Sequence, residues 1–136
     1  MAHDDPLTAT LAAMPAFAGL DHQEVDDIAR SMSERDLKPG KTLIKQGQWG
    51  HELVVVLAGE VEIRRDDTVV ATLGPGSVLG EAAVLHDTRR NASVVAKSAV
   101  TVGTVEYSQL RALVDTIPTL GDRLDALARV RTPEAE

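Results

Sequence analysis

The sequence contains no cysteine. That excludes a disulfide framework and any thiolate chemistry, and it is compatible with a reducing, cytoplasmic setting. Aromatic residues are nearly as scarce: Phe17, Trp49 and Tyr107 are the whole set. The core must therefore be built from Val, Leu, Ile and Ala, and the stacking platforms used by single-strand nucleic-acid binders are missing. Basic residues are in deficit, 14 against 21 acidic, and the formal net charge of -7 argues against any nucleic-acid partner, which would need a basic face. No apolar run approaches the roughly 20 residues that a membrane helix needs; the longest, Leu53 to Ala58, has the length of a strand. Met1 to Asp5 is acidic rather than basic and leads into a short Ala-rich stretch, so no targeting segment and no membrane partner are expected.

What is present is enough for one core. The chain has 136 residues with 43% hydrophobic side chains, which suits one domain and excludes a disordered acidic chain. The pattern runs helix, strands, helix. Leu7 to Met14 is apolar and Ala-rich and stops at Pro15. Asp21 stands where an N-cap belongs, with Glu24 three residues on as in a capping box, and Leu20 and Val25 at staple positions. Val25, Ile28, Ala29 and Met32 then mark one face of a helix. After Leu37 the period changes. Thr42 to Ile44, Leu53 to Ala58, Glu60 to Arg65, Val69 to Leu73, Ser77 to Leu79, Ser93 to Ala96 and Val100 to Val105 read as strands, with Asp66-Asp67 as a hairpin turn and Gly74-Pro75-Gly76 as a break. Helix resumes at about Ser108. Pro118 ends that piece or opens the next, and Leu120, Leu124 and Leu127 form an apolar stripe before a frayed tail from Thr132. The expected fold class is α+β: an antiparallel, jelly-roll-like β-roll over about 35–106, flanked by helices over 7–33 and about 108–131.

One stretch departs from a plain strand pattern. Leu79-Gly80-Glu81-Ala82-Ala83-Val84 places a glycine at a strand end before a short apolar run, and Arg89 and Arg90 follow just before the next strand. Free backbone N–H groups at the start of a helical turn attract anions, and an arginine returning to the same place adds a planar fork matched to phosphate oxygens. Gly80 lets a ligand approach the backbone, and the Glu81 carboxylate is a fitting acceptor for sugar hydroxyls. Taken singly, Glu81 reads first as a favourable charge at a helix N-terminus, and Arg90 as a solvated surface cation.

This stretch resembles the phosphate-binding cassette of the cyclic nucleotide-binding domain family, F-G-E-x-A-L-x-x-x-x-x-R-x-A-T-V. Leu79-Gly80-Glu81 stands at F-G-E, Arg90 at the arginine and Ala92-Ser93-Val94 at A-T-V. Upstream, Gln46-Gly47-Gln48 resembles the family's Q-G-D, and Leu53 to Val61 resembles L-Y-V-I-x-x-G-x-V with Gly59 on the glycine. The likeness covers about residues 14 to 130. It implies that Gly80 and Glu81 meet the ribose hydroxyl, that Ala82 and Ala83 turn their amides to the cyclic phosphate, and that Arg90 pairs with the phosphate oxygens. Asn91 would lie beside phosphate or base, and Val61, Val70 and Leu73 would line the base pocket. Without ligand, the Arg90 guanidinium is expected to be solvated. The family aromatic is replaced by Leu79, a packing change; Arg89 adds a second cation, and Asn91 is a departure that leaves the base preference open.

The resemblance implies a regulatory module for a cyclic purine mononucleotide, cAMP or cGMP, that signals by rearranging its C-terminal helices. The partners it implies are that nucleotide and either a second copy, held through the C-terminal helix, or an effector protein. The alternative is a member of the same fold that has lost nucleotide binding and acts by dimerising. No enzyme, metal or cofactor is expected. His3, His22, His51 and His86 form no paired spacing, as a cupin-type metal site would need, and no nucleophile-like Ser is present. Nor do the roughly thirty residues after Val105 leave room for a dimer helix with a helix-turn-helix domain.

Overall fold

A computed structural model describes residues 6–48, 51–79, 90 and 92–135, with side chains to residue 126. Helix α1 covers Pro6–Ala12, a 3-10 turn covers Pro15–Phe17, and α2 covers His22–Ser31. The capping box opens α2 as expected. The Asp21 carboxylate accepts from Glu24 N at 2.8 Å, while the Glu24 carboxylate accepts from Asp21 N at 3.0 Å. Two orphan donors at the helix start are thereby satisfied. The face it buries carries Val25, Ile28 and Ala29.

Eight strands follow: β1 Ser33–Leu37, β2 Thr42–Ile44, β3 Glu52–Ala58, β4 Val61–Arg65, β5 Thr68–Leu73, β6 Val78–Leu79, β7 Ser93–Ala96 and β8 Val100–Glu106. They form two four-stranded antiparallel sheets, ordered β1-β8-β3-β6 and β2-β7-β4-β5. The chain passes repeatedly from one sheet to the other, which is the jelly-roll-like arrangement. Strand β1 was not legible as a strand. Its residues Ser33, Glu34, Arg35 and Asp36 are exposed and mostly charged, so no apolar alternation marks it; pairing with β8 makes it a strand.

Strand β3 explains its own composition. Leu53 and Val55 pack with the helices, whereas Val54 and Val56 pack between the sheets. Both faces are buried, so an unbroken Leu-Val-Val-Val run replaces alternation. Each such side chain contributes roughly 1.5–3 kcal/mol relative to exposure. Gly59, between β3 and β4, has φ +84°, and a Cβ there would overlap the Ala99 carbonyl oxygen and Val100. No other residue fits that turn.

Strand β8 runs directly into α3, Tyr107–Thr116, and after Ile117 the chain enters α4, Pro118–Ala135. Pro118 therefore opens a helix, where its missing N–H costs nothing. The tail expected to fray from Thr132 is helical as far as Ala135; besides Pro133 it holds no helix breaker. Leu120 and Leu124 are 1% and 0% exposed and share a cluster with Leu11, Phe17 and Leu110. Arg123 donates to the carbonyls of Pro15 and Ala16, which ties α4 to the 3-10 turn. No helix among the described residues is long and apolar enough to cross a membrane.

Candidate functional site

The cassette departs from β6, at the edge of one sheet, and returns to β7, inside the other. Residues 80–91 thus bridge the two sheets. Gly80, Glu81, Ala82, Ala83 and Asn91 lie outside the described residues, as does Arg89. The platform they leave from is well defined. Leu79 is buried and pairs with Val54. The break before it is fastened to β3, with Gly76 N donating to Val56 O at 2.8 Å and Val56 N donating to Ser77 O at 2.9 Å.

Arg90 is the predicted ligand residue on which the structure is most informative. The side chain expected to be solvated is only 8% exposed. Its Nη2 donates to the main-chain carbonyl of Glu52 at 2.7 Å. Its backbone is held from the loop after β2: Arg90 N donates to Gln48 O at 2.7 Å, and Gly47 N donates to Arg90 O at 2.8 Å. Gly47 has φ +89°, a conformation that suits the residue which lets this loop turn back on Arg90. The expectation of a solvated guanidinium fails because the start of β3 and the loop after β2 enclose the arginine, and sequence spacing does not reveal that enclosure. At Glu52 the acceptor is the carbonyl; the carboxylate faces Arg35 at 3.7 Å. A carbonyl orients a guanidinium without neutralising its charge.

The three apolar positions assigned to the base pocket differ in exposure. Val61 and Leu73 face each other across β4 and β5. Val61 is completely buried, and Leu73 packs against the core between the sheets. Val70 is 52% exposed. The register passes from Ile63 opposite Ala71 to Arg64 opposite Val69, so Val70 is the extra residue of a bulge on β5. Bulges re-aim side chains, and this one leaves an exposed valine on an edge strand. The positive φ of Asp66 and Asp67 closes the hairpin just before it.

The supporting roles of Glu52 and Gln48 were not legible in the sequence. Both act through their carbonyls, which any residue would offer, so no side-chain signal marks them. Ser93 accepts from Gln46 N through its Oγ at 2.9 Å. A groove of about 380 Å³ lies between the 3-10 turn, the Pro75–Val78 segment and Arg123, and none of the predicted ligand residues lines it. Among the described residues, no three His, Asp or Glu side chains cluster as a metal ion would require.

Comparison with known proteins supports the family and the fold. The family model for the cyclic nucleotide-binding domain matches residues 34–117. The chain is 34% identical over 128 residues to the cyclic AMP receptor protein of Thermus thermophilus, covering 90% of this chain and 59% of that protein. The crystal structure of the Thermus thermophilus catabolite activator protein superposes with a TM-score of 0.81 at 32% identity, over 89% of this chain and 59% of that one. The regulatory subunit of a cAMP-independent protein kinase A from Trypanosoma brucei superposes with a TM-score of 0.80 at 28% identity, over 90% of this chain and 43% of that one. The chain thus spans little more than half of these relatives, or less. With the family model matched over more than half of its length, the chain belongs to the cyclic nucleotide-binding domain family.

Proposed function

We propose that this chain binds a cyclic purine mononucleotide, cAMP or cGMP, as a regulatory module. In this reading Arg90 pairs with the phosphate oxygens, the amides of Ala82 and Ala83 face the same phosphate, and Gly80 and Glu81 take the ribose hydroxyl. Asn91 stands beside phosphate or base. Val70 and Leu73 are the apolar neighbours of the base, and Val61 supports them from within the core.

The observation that carries the reading is Arg90. A guanidinium enclosed by the fold and oriented by a main-chain carbonyl is pre-organised for a planar, charge-assisted contact. It stands at the end of the segment that joins the two sheets, where the family motif has its phosphate arginine. A surface arginine would need no such hold. Occupancy is then passed on through α3 and α4, since α3 continues directly from β8 and α4 is tied to the 3-10 turn. The downstream partner is an effector protein or a second copy. Leu120 and Leu124 are committed to the core, which counts against a dimer seam built on those two residues.

A thermal melt of the purified chain with cAMP or cGMP tests the reading. A ligand that binds only the folded state raises the melting temperature, by about 2.7 kcal/mol of stabilisation at a hundred times its dissociation constant. No upward shift with either nucleotide at millimolar concentration would overturn it and favour the dimerising alternative.

A further inference from the structure

The loop after β2 brackets Arg90. Gln46 N donates to Ser93 Oγ at 2.9 Å, Gly47 N donates to Arg90 O at 2.8 Å, and Arg90 N donates to Gln48 O at 2.7 Å. Three consecutive residues thus hold the arginine and the start of β7 together. The loop is itself anchored by one side chain. Gln46 Oε1 accepts from Asp66 N at 2.9 Å, and Gln46 Nε2 donates to Asp66 Oδ1 at 3.1 Å. This pairing uses an amide's two ends in the one orientation that fits a backbone N–H beside a carboxylate. Asp66 is the first residue of the β4–β5 turn, and Val70 follows on the strand that leaves it.

We infer that Gln46 is a positioning residue for the nucleotide phosphate: it ties the β4–β5 hairpin to the loop that holds Arg90, so that the two sides of the site keep a fixed separation. The inference rests on the assignment of Arg90 as the phosphate ligand. Gln46 acts through the loop rather than by touching the nucleotide. Its contacts with Asp66 are exposed to solvent, so they contribute little to global stability. What they restrict is the placement of a loop whose backbone ends on the arginine. Geometric placement of a charged fork affects affinity strongly, because a bidentate contact tolerates little displacement.

The test is a charge-swap pair. Gln46→Glu keeps the length of the side chain and its acceptor, but sets a carboxylate against that of Asp66. The double variant Gln46→Glu with Asp66→Asn restores a donor opposite the new carboxylate, and asparagine tolerates the left-handed conformation at residue 66. For Gln46→Glu, cAMP and cGMP titrations should show roughly three- to tenfold weaker binding, the range of a lost or reversed surface contact. The double variant should return to within about twofold of wild type. Without nucleotide, exchange of the Arg90 amide, followed by NMR, should speed up in Gln46→Glu and recover in the double variant, while the melting temperature of all three proteins stays nearly level. Wild-type binding with Gln46→Glu equally tight, or a double variant that fails to recover, overturns the role of Gln46 alone. A wild type that binds neither nucleotide overturns the assignment of Arg90 and this inference with it.

Discussion

Arg90 has a role in the fold as well as the one proposed for it in binding, and the two separate in experiment. Removing its side chain takes a donor from the part-buried carbonyl of Glu52, so Arg90→Ala should lower stability on the order of 1 kcal/mol even without nucleotide. Affinity should fall further, by about 30-fold to several-thousand-fold, the range for deleting one partner of a desolvated charge pair. A melt without ligand followed by a titration measures both. Arg89→Ala is the control. It removes the same charge from the adjacent position and should weaken binding by less than about tenfold, through screened surface electrostatics. If Arg89→Ala proves the more damaging, the cassette is misaligned by one residue. Gly59 contrasts with both arginines: its requirement is local backbone geometry, set by a positive φ and the Ala99 carbonyl facing it.

Strands and helices differ in how much of their role is written locally. In α2 the cap, the staple and the apolar face agree, so the helix is specified almost without reference to the rest of the chain. In α4 the first half is anchored by Leu120, Leu124 and Arg123 against the 3-10 turn. A rearrangement of the C-terminal helices on nucleotide binding must therefore pivot on this anchored half or break it. Amide hydrogen exchange along Pro118–Ala135 should slow when nucleotide is added. Protection confined to the Arg90 region, with no change along α4, would place the output of the module on another element.

Across the whole molecule, charge works against the proposed ligand. A net charge of -7 repels an anionic nucleotide at long range, whereas Arg90 attracts it from within an enclosed site. Salt screens the first effect far more than the second, because the Debye length falls from about 30 Å at 0.01 M to about 8 Å at 0.15 M. The association rate for cAMP should accordingly rise or hold level over that range, in contrast to the steep fall expected of a basic, steering surface. Stopped-flow measurement with a fluorescent nucleotide checks it, and a decline of tenfold would contradict a local origin for the attraction.

By itself the sequence determined the elements whose signal is local: the capping box of α2, the doubly buried β3 run, the Asp66-Asp67 turn and the order of the cassette motif. These depend on periodicity and on residues acting within a few positions of one another, so they can be read along the chain. The tertiary structure alone decided that Ser33–Leu37 is a strand, since its pairing partner in β8 lies some seventy residues away in the chain. It also decided which apolar residues are exposed: a register shift turns Val70 outward while Val61 is sealed in the core. The burial of Arg90 belongs here too. Its hold comes from the carbonyls of Gln48 and Glu52 and the N–H of Gly47, backbone groups that every sequence carries and that only the folded chain brings to one place.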